Sequence, residues 1–451
     1  MSFRFALSQG LFSSSGVDRG SQLLLKALSR TWDADRTAGC SPPRRILDCG
    51  CGAGIIGVCA AALALPAAPD LRVRAQDRDE LARVFTGYNA QINGIPPVVL
   101  EAHTEALLSG PPGAAWDLIL SNIPAKAGKP VLEDFIARSL GLLDSGGKVL
   151  LVVVHTLEDF FRSRISQAGG MILREEAGSE HIVFVYARGG TEGPEGTETS
   201  RRTGPVQMGD DFLASNPFYR RHELDYDLNG IPLHIDTIHG APGFDRPGEA
   251  VETAVKLARR LGLAARIAPG TPVLVHEPEQ GWFAAWFFTV LEQGGDNSGR
   301  PLTQWVLSGR NILSLEAARH NLRAVLKNRG PAGTRGFMPE PAVIPAVSFD
   351  REKLQTAAEL PGSGESPEGF GFIAAFPEPV PRVDENSASW EGLSALLRPG
   401  GIVLAAFPSS EAERFDRKKP SRFIRLGDLR RNGFRALAYQ YQGKAAVLMA
   451  D

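Results

Sequence analysis

The chain has 451 residues, 43% hydrophobic and 22% charged, with 49 basic against 51 acidic side chains and a net charge of −2. That length suits two or three globular domains, and the composition excludes a disordered or fibrous chain. The even charge balance excludes a global basic field, so any contact with nucleic acid has to come from a local patch.

The opening MSFRFALSQG has no basic start followed by a long apolar run, so no signal peptide is expected. The Ala-rich run Ile55–Pro66 is too short to cross a bilayer. Both point to a cytoplasmic protein without a membrane partner. From there, strand-like runs alternate with helical patterns. RRILDCG reads as a strand, Ile55–Leu65 as a helix, LRVRAQD as a strand and Glu80–Ile92 as a helix. VVLEAH and WDLILSN are strands, Val131–Leu143 is helical and GKVLLVVV is a strand. MILREEA and HIVFVYA close the series as an antiparallel pair. The alternation predicts an α/β fold on a mainly parallel sheet with right-handed crossovers.

The stretch 188–204 is Gly, Thr, Glu and Pro without apolar periodicity and reads as a flexible linker. It separates a first domain, 1–187, from a second, 205–451. The second half echoes the first. GVDRGSQLLLKALSR (16–30) lines up with GFDRPGEAVETAVKLARR (243–260), and ILDCGCGAG (46–54) with VLVHEPEQG (273–281), both at an offset of 227. Asn89 matches Asn321, and LLDSGGKVLL (142–151) matches LLRPGGIVLA (396–405). Four ordered matches predict tandem copies of one domain.

The run Ile46–Gly54 follows a strand and opens a helix. Gly50, Gly52 and Gly54 let backbone approach a ligand where a Cβ would clash. The spacing is D-x-G-x-G-x-G rather than the dinucleotide G-x-G-x-x-G. Asp48 stands two residues before the first glycine, an arrangement typical of S-adenosylmethionine (SAM) sites, where it would orient the methionine ammonium. Asp77 ends the second strand and can accept hydrogen bonds from ribose hydroxyls. Cys49 and Arg78 flank these positions, and His103 after the third strand is placed near the adenine. The fourth strand runs into Asn122-Ile123-Pro124-Ala125. The four cysteines, at 40, 49, 51 and 59, form neither a disulfide framework nor a zinc set, so no metal site is expected.

GLFSSSGVDRGSQLLL (10–25), ILDCGCGAG and SNIPAKAGKPVLEDF (121–135) together resemble the small-domain class I SAM-dependent methyltransferases that include the bacterial ribosomal RNA guanine-N2 enzymes. The resemblance covers residues 3–187. It implies two Rossmann-like domains, one of them degenerate, with SAM as cofactor and RNA, ribosomal RNA above all, as partner. By the same resemblance Phe12, Asp18, Arg19, Gly20 and Ser21 border the cofactor pocket, while Asn122, Ile123 and Pro124 hold the target amine. The chain departs from the family's Asn-Pro-Pro-aromatic loop in two places. Ile123 replaces the first proline, and Ala125 removes a stacking ring worth ~1–3 kcal/mol per base. It also keeps its intact copy first, where the guanine-N2 enzymes keep it second.

In the second copy, Val275, Glu277 and Glu279 replace Asp48, Gly50 and Gly52, Gly309 stands opposite Asp77, and AAFPEPVPR (374–382) lacks the asparagine. This half is expected to bind no SAM. Its stretch 414–435 carries nine Lys or Arg against two acids, with Phe415, Phe423 and Phe434 interleaved. It reads either as an RNA-binding strip or as a solvated face over core rings. Trp282, Trp286, His155 and His276 read as structural groups. The leading expectation is an RNA N-methyltransferase, compatible with a monomer. The alternatives are a methyltransferase for a protein glutamine or a small-molecule amine, and a module that binds SAM or RNA without catalysis.

Overall fold

The computed structural model describes residues 2–12, 16–110, 115–189, 204–209, 212–268, 270–293, 303–327, 340–358, 369–380 and 386–443. The chain divides into two compact units, Met1–Tyr219 and Arg220–Asp451.

In the first unit, helix α1 (Arg19–Thr37) starts at Asp18, whose Oδ1 accepts the Ser21 N–H at 2.9 Å, and buries Gly20, Ser21, Leu24, Ala27, Leu28 and Thr31 at 3–4-residue spacing. Strand β1 (Arg45–Cys49) leads to α2 (Ile55–Ala64), and β2 (Arg72–Asp77) leads to α3 (Glu80–Ile92), capped by Asp79. Next come β3 (Leu100–Thr104), β4 (Trp116–Asn122), α4 (Lys129–Leu142), β5 (Leu143–Val154), α5 (Glu158–Gln167), β6 (Gly170–Ala177) and β7 (His181–Arg188). The spatial order is β3-β2-β1-β4-β5-β7-β6. All pairs are parallel except those of β7 with β5 and β6. Chain direction across the sheet reverses between β1 and β4, and the crevice beyond their carboxyl ends is where such sheets bind ligands.

The unit ends later than the expected boundary at 187. The linker reading 188–204 falls largely outside the described residues, but 204–209 and 212–219 pack onto the first unit, against α4 and the segment after β3, instead of starting the second domain. Val206 bridges Ser109 and donates to the Leu108 carbonyl at 2.9 Å. Arg138 donates to the Gly204 carbonyl at 3.0 Å and lies 5.1 Å from the Phe218 ring. A short helix α6 (Phe212–Ser215) brings Phe212 to 5.2 Å from Tyr219, and both rings are buried. The boundary therefore moves to 219, because these apolar side chains have their core in the first unit.

The second unit opens with a hairpin, β8 (Arg220–Leu228) and β9 (Ile231–Ile238). Then follow α7 (Glu249–Arg260), β10 (Val273–His276), α8 (Trp282–Gln293), β11 (Trp305–Gly309), α9 (Ile312–Lys327), β12 (Ala342–Pro345) and α10 (Arg351–Ala358). Strand β13 (Phe370–Ala375), α11 (Asn386–Leu396), β14 (Leu397–Pro408), α12 (Ser409–Arg417), β15 (Phe423–Arg431) and β16 (Phe434–Tyr441) complete it. The order β12-β11-β10-β13-β14-β16-β15 repeats the first sheet strand for strand. The two matched asparagines also do the same job. Asn89 exchanges two hydrogen bonds with the backbone of Ala6 and donates to the Ala53 carbonyl, and Asn321 does likewise with Asp236 and Gln280.

Asn89 and Asn321 also correct the repeat alignment. Ala6 corresponds to Asp236, and the helix cap Asp18 to the cap Gly248, so this part of the repeat runs three residues further along than the G-[VF]-D-R match implies. Asp245 is thus not the counterpart of Asp18. Instead it accepts from Thr237 at 3.1 Å and pairs with Arg221 at 3.0 Å.

Candidate active site

The turn after β1 alternates into the left-handed region, with φ of 74° at Gly50, 55° at Gly52 and 79° at Gly54. The three glycines have different reasons to be there. A Cβ on Gly54 would come within 2.8 Å of Thr86, so this glycine packs α2 against α3. A Cβ on Gly52 would meet nothing within 4 Å, and one on Gly50 only Leu107 at 3.9 Å. Those two line open space. Helix α2 then begins at Gly54 without a side-chain cap, so the N–H groups of Ile55 and Ile56 head the helix at the mouth of the turn, while that of Gly57 is taken by Asp48.

Asp48 is fully buried beneath this turn. Its Oδ2 accepts the Gly57 N–H at 2.8 Å, and Oδ1 has no hydrogen-bond partner among the described residues. Burial pushes its pKa up to about 7, opposed by the Gly57 hydrogen bond and reinforced by the nearby charge of Asp77. Asp77 spans the ends of β2 and the turn. Its Oδ2 accepts from Gly52 N and its Oδ1 from Asp79 N, each at 3.0 Å. Burial raises its pKa too, with those two backbone donors pulling the other way. A carboxylate has about four acceptor positions, so two remain for further donors.

Asn122 ends β4 across the crevice. Its Nδ2 donates to Asp18 Oδ1 and to Ser21 Oγ, both at 3.1 Å. Both amide hydrogens are thereby committed to the start of α1, and the side-chain carbonyl is turned to the other side. Gly20 is part of the same packing. A Cβ there would lie 3.1 Å from Asp18 Oδ1, 3.2 Å from the His181 ring and 3.3 Å from Asn122 Nδ2. Ile123 is 4% exposed, so its side chain points inward and only its backbone carbonyl can serve the loop. Pro124 and Ala125 are exposed, and Ala125–Ala127 forms one 3-10 turn before α4.

The structure thus gathers Asp18, Gly20, Ser21 and Asn122 in one cluster, and Asp48, Gly50, Gly52, Gly54 and Asp77 in another. Three expected residues stand apart. The Cys49 side chain is buried, its thiol pushed up by that burial, and its carbonyl accepts from Ser121 Oγ at 2.8 Å. His103 packs against Arg74, 3.1 Å from Nη1, and lies near Glu101, with burial holding its pKa down. Its strand parity puts it on the sheet face opposite Asp77. Phe12 is 74% exposed and touches the edge of a gap in the described residues at 13–15. Arg78 is exposed beside Asp77. Sequence reasoning missed Gly57, Thr86, Leu107 and His181. No motif marks them: Gly57 reaches Asp48 from the first turn of the following helix, and the others come from elements more distant in the chain.

A family description, methyltransferase small domain, matches residues 2–166. The uncharacterized protein YbxB of Bacillus subtilis is 31% identical over 152 residues, which span 68% of that relative and 34% of this chain. The chain belongs to the methyltransferase small-domain family. Within the family, the ribosomal RNA small subunit methyltransferase C of Pseudoalteromonas atlantica is 31% identical over 156 residues, spanning 34% of this chain and 40% of that relative. The solved T. thermophilus 16S rRNA N2 G methyltransferase (RsmC), in complex with AdoMet and guanosine, superposes over 98% of this chain and 96% of its own length. Its TM-score is 0.57 at 16% identity, so this likeness concerns the fold. The fold is two tandem Rossmann-like class I methyltransferase domains, and the chain is a methyltransferase.

The second copy keeps the backbone of the turn and fills its space. Glu277, Glu279 and Gly281 adopt φ of 55°, 53° and 89°, the same left-handed alternation as the three glycines. Glu279 is half-buried, accepts from Gly248 N at 3.1 Å, and has its pKa pushed up to about 7 by desolvation. Glu277 Oε1 accepts from Arg310 N at 2.8 Å, so the carboxylate of this copy reaches from turn to strand, the reverse of Asp77. Register places Phe376, buried and 5.2 Å from Phe283, opposite Asn122. Residues 381 and 382 of its loop lie outside the described residues.

The basic stretch 414–435 is a salt-bridged face over core rings. Arg414 pairs with Glu411, Arg430 with Glu413, Arg431 with Glu249 and Glu252, and Arg435 with Asp428. Phe415 and Phe423 are buried around Trp390, with Phe415 stacked on it at 4.2 Å, so they present no base-stacking surface. His276, buried with a pKa pulled down to about 4, lies 2.9 Å from Ser308 Oγ as a structural group.

Proposed function

We propose that the first unit binds SAM over Gly50–Gly54 and transfers its methyl group to an exocyclic amine of RNA, with guanine N2 of ribosomal RNA the favoured acceptor. The observation that carries the reading is the commitment of both Asn122 amide hydrogens to Asp18 and Ser21. A free carboxamide could rotate to present either end. This one can offer the acceptor only its carbonyl oxygen, the group that an amine N–H needs.

The residues fit SAM. Asp48 carries a buried oxygen without a partner beneath an open glycine cradle, a complement to an ammonium group held directly or through water. Asp77 retains acceptor positions for ribose hydroxyls. When bound, SAM supplies an electrophilic methyl group on a sulfonium. The chain supplies the rest by positioning: Asn122 Oδ1 and the Ile123 carbonyl accept the two amine hydrogens and hold the nitrogen lone pair in line. Such a displacement needs alignment more than a strong base. The relatives that methylate ribosomal RNA support RNA as the acceptor. Ala125, exposed and without a ring, favours a second reading in which a protein amide or smaller amine enters the loop. No helix of the described residues is long and apolar enough to cross a membrane.

The test supplies labelled SAM to the purified chain with ribosomal subunits and nucleosides read by mass spectrometry. Asn122→Ala is expected to lower methyl transfer by ~100-fold or more, as loss of one positioned polar contact does, while SAM affinity changes little. Undiminished transfer by this variant overturns the catalytic role. Label found in ribosomal protein instead of RNA selects the second reading.

A further inference from the structure

Hairpin β8–β9 carries a polar cluster unrelated to the methyl-transfer site. Register sets Glu223 directly opposite Asp236, and Asp225 directly opposite His234, so three carboxylates and an imidazole share one face. Like charges facing each other across two strands repel and call for a cation between them. Helix α9 contributes His320, whose Nε2 lies 2.7 Å from Asp236 Oδ2. Donor atoms of Glu223, His234 and Asp236 all fall within 4.8 Å of one another.

The Asp236 side chain is only 9% exposed, and its Oδ1 has no hydrogen-bond partner among the described residues. Its backbone is fastened on both sides by Asn321, which fixes its position against α9. His234 Nδ1 is 2.9 Å from Asp225 Oδ1, which leaves Nε2 as its outward donor. That is how outer carboxylates orient metal-binding imidazoles. Arg220 now supplies the counter-charge, 2.6 Å from Glu223 and 3.1 Å from Asp236, through a partly exposed side chain that can turn away. Among the described residues the first copy offers no such cluster. Its asparagine clasp holds Ala6 where Asp236 stands, and Tyr88 precedes Asn89 where His320 precedes Asn321.

We propose that Glu223, His234 and Asp236 form a site for one divalent transition-metal ion of the zinc class, with His320 holding the Asp236 carboxylate from outside. One imidazole and two carboxylates make a borderline three-ligand set that zinc accepts with water in its open position. The ion would occupy the orphaned Asp236 oxygen, displace Arg220 and tie the hairpin to α9.

The test uses the full chain, stripped with EDTA and titrated with ZnCl2 by calorimetry, with melting followed in parallel. One equivalent is expected to bind with Kd near ~1 μM or tighter, raising Tm by roughly 5 °C at saturating zinc. His234→Gln and Glu223→Gln change surface side chains that the fold does not need, and each is expected to weaken binding ~10-fold or more. Arg220→Ala is expected to tighten it by removing the competing cation. SAM binding should be untouched throughout, which separates this outcome from that of the methyl-transfer reading. No binding at ~100 μM zinc, about a hundredfold above the expected Kd, overturns the site. So does affinity unchanged in both surface variants, which would place the ion on a cysteine elsewhere.

Discussion

A methyl group added to Gly52 and one added to Gly54, two residues on, would meet different fates. At Gly54 it would strike Thr86 at 2.8 Å from a backbone φ of 79°, so Gly54→Ala is expected to destabilise the fold by several kcal/mol, ~2 or more, in a denaturant titration. At Gly52 the space is open, so Gly52→Ala is expected to lose only about 1 kcal/mol of stability through its left-handed backbone. It should nonetheless bind SAM far more weakly, because the added group enters the cradle. Equal SAM affinity in Gly52→Ala and the parent chain would show that the cradle faces something else. Asp48 adds a pH signature. Its pKa is raised from an ordinary 3.8 to about 7, so the folded chain holds this proton more tightly than the unfolded one. On this account ligand-free stability falls as pH rises from about 4 to about 7 and is level above that, with a ceiling of about 4 kcal/mol. Asp48→Asn keeps the shape and removes the titration. It should melt higher than the parent at pH 8 without ligand, with the difference shrinking as pH approaches 4, while SAM binding weakens. A lower melting point at pH 8 would reverse the assignment. The glycines and both aspartates were legible as a spaced motif. That Asp48 lies wholly buried was not, since burial depends on α2 closing over β1.

At the scale of elements, local signals named most strands and helices of the first unit. Helix Glu80–Ile92 is as expected, because its Asp79 cap and apolar spacing are local features. Helix α5 was not singled out, being short and half exposed. The larger discrepancy is the segment 204–219. Its composition reads as the start of a new domain, yet Val206, Phe212, Leu213 and Tyr219 are buried in the first unit and Asn216 is fixed by hydrogen bonds to Gln207 and Phe212. Each such side chain contributes roughly 1.5–3 kcal/mol on burial. A fragment 1–219 is therefore expected to melt as one cooperative unit, and a fragment 1–189 to melt at least ~10 °C lower or to aggregate. Equal melting points would show that the segment contributes nothing.

At the scale of the whole molecule, two seven-stranded sheets with one strand order have kept one ligand-shaped backbone and diverged in what fills it. Glu277 and Glu279 hold left-handed conformations that glycine adopts without strain, and their carboxylates bond to Arg310 N and Gly248 N on either side of the turn. Calorimetry is expected to give one SAM per full chain. A second equivalent, or one retained by Asp48→Ala, would contradict the division into a working and a filled copy. The family motifs are confined to the first copy, matching the region 2–166.

The sequence by itself determined the fold class, the duplication and the glycine turn, because periodicity, internal repetition and tight-turn chemistry are written in neighbouring residues. It also identified Asn122 as a residue of interest through its loop. Only the tertiary structure decided which end of that asparagine is tied to the start of α1, where the first unit ends, and that Arg414, Arg430 and Arg431 of the basic stretch pair with glutamates from α7 and α12. Each of these depends on partners brought together from distant parts of the chain, among them Asp18 with Asn122, Leu108 with Val206 and Glu252 with Arg431. No local pattern encodes such pairs, since they arise from the packing of helices and strands on the sheet.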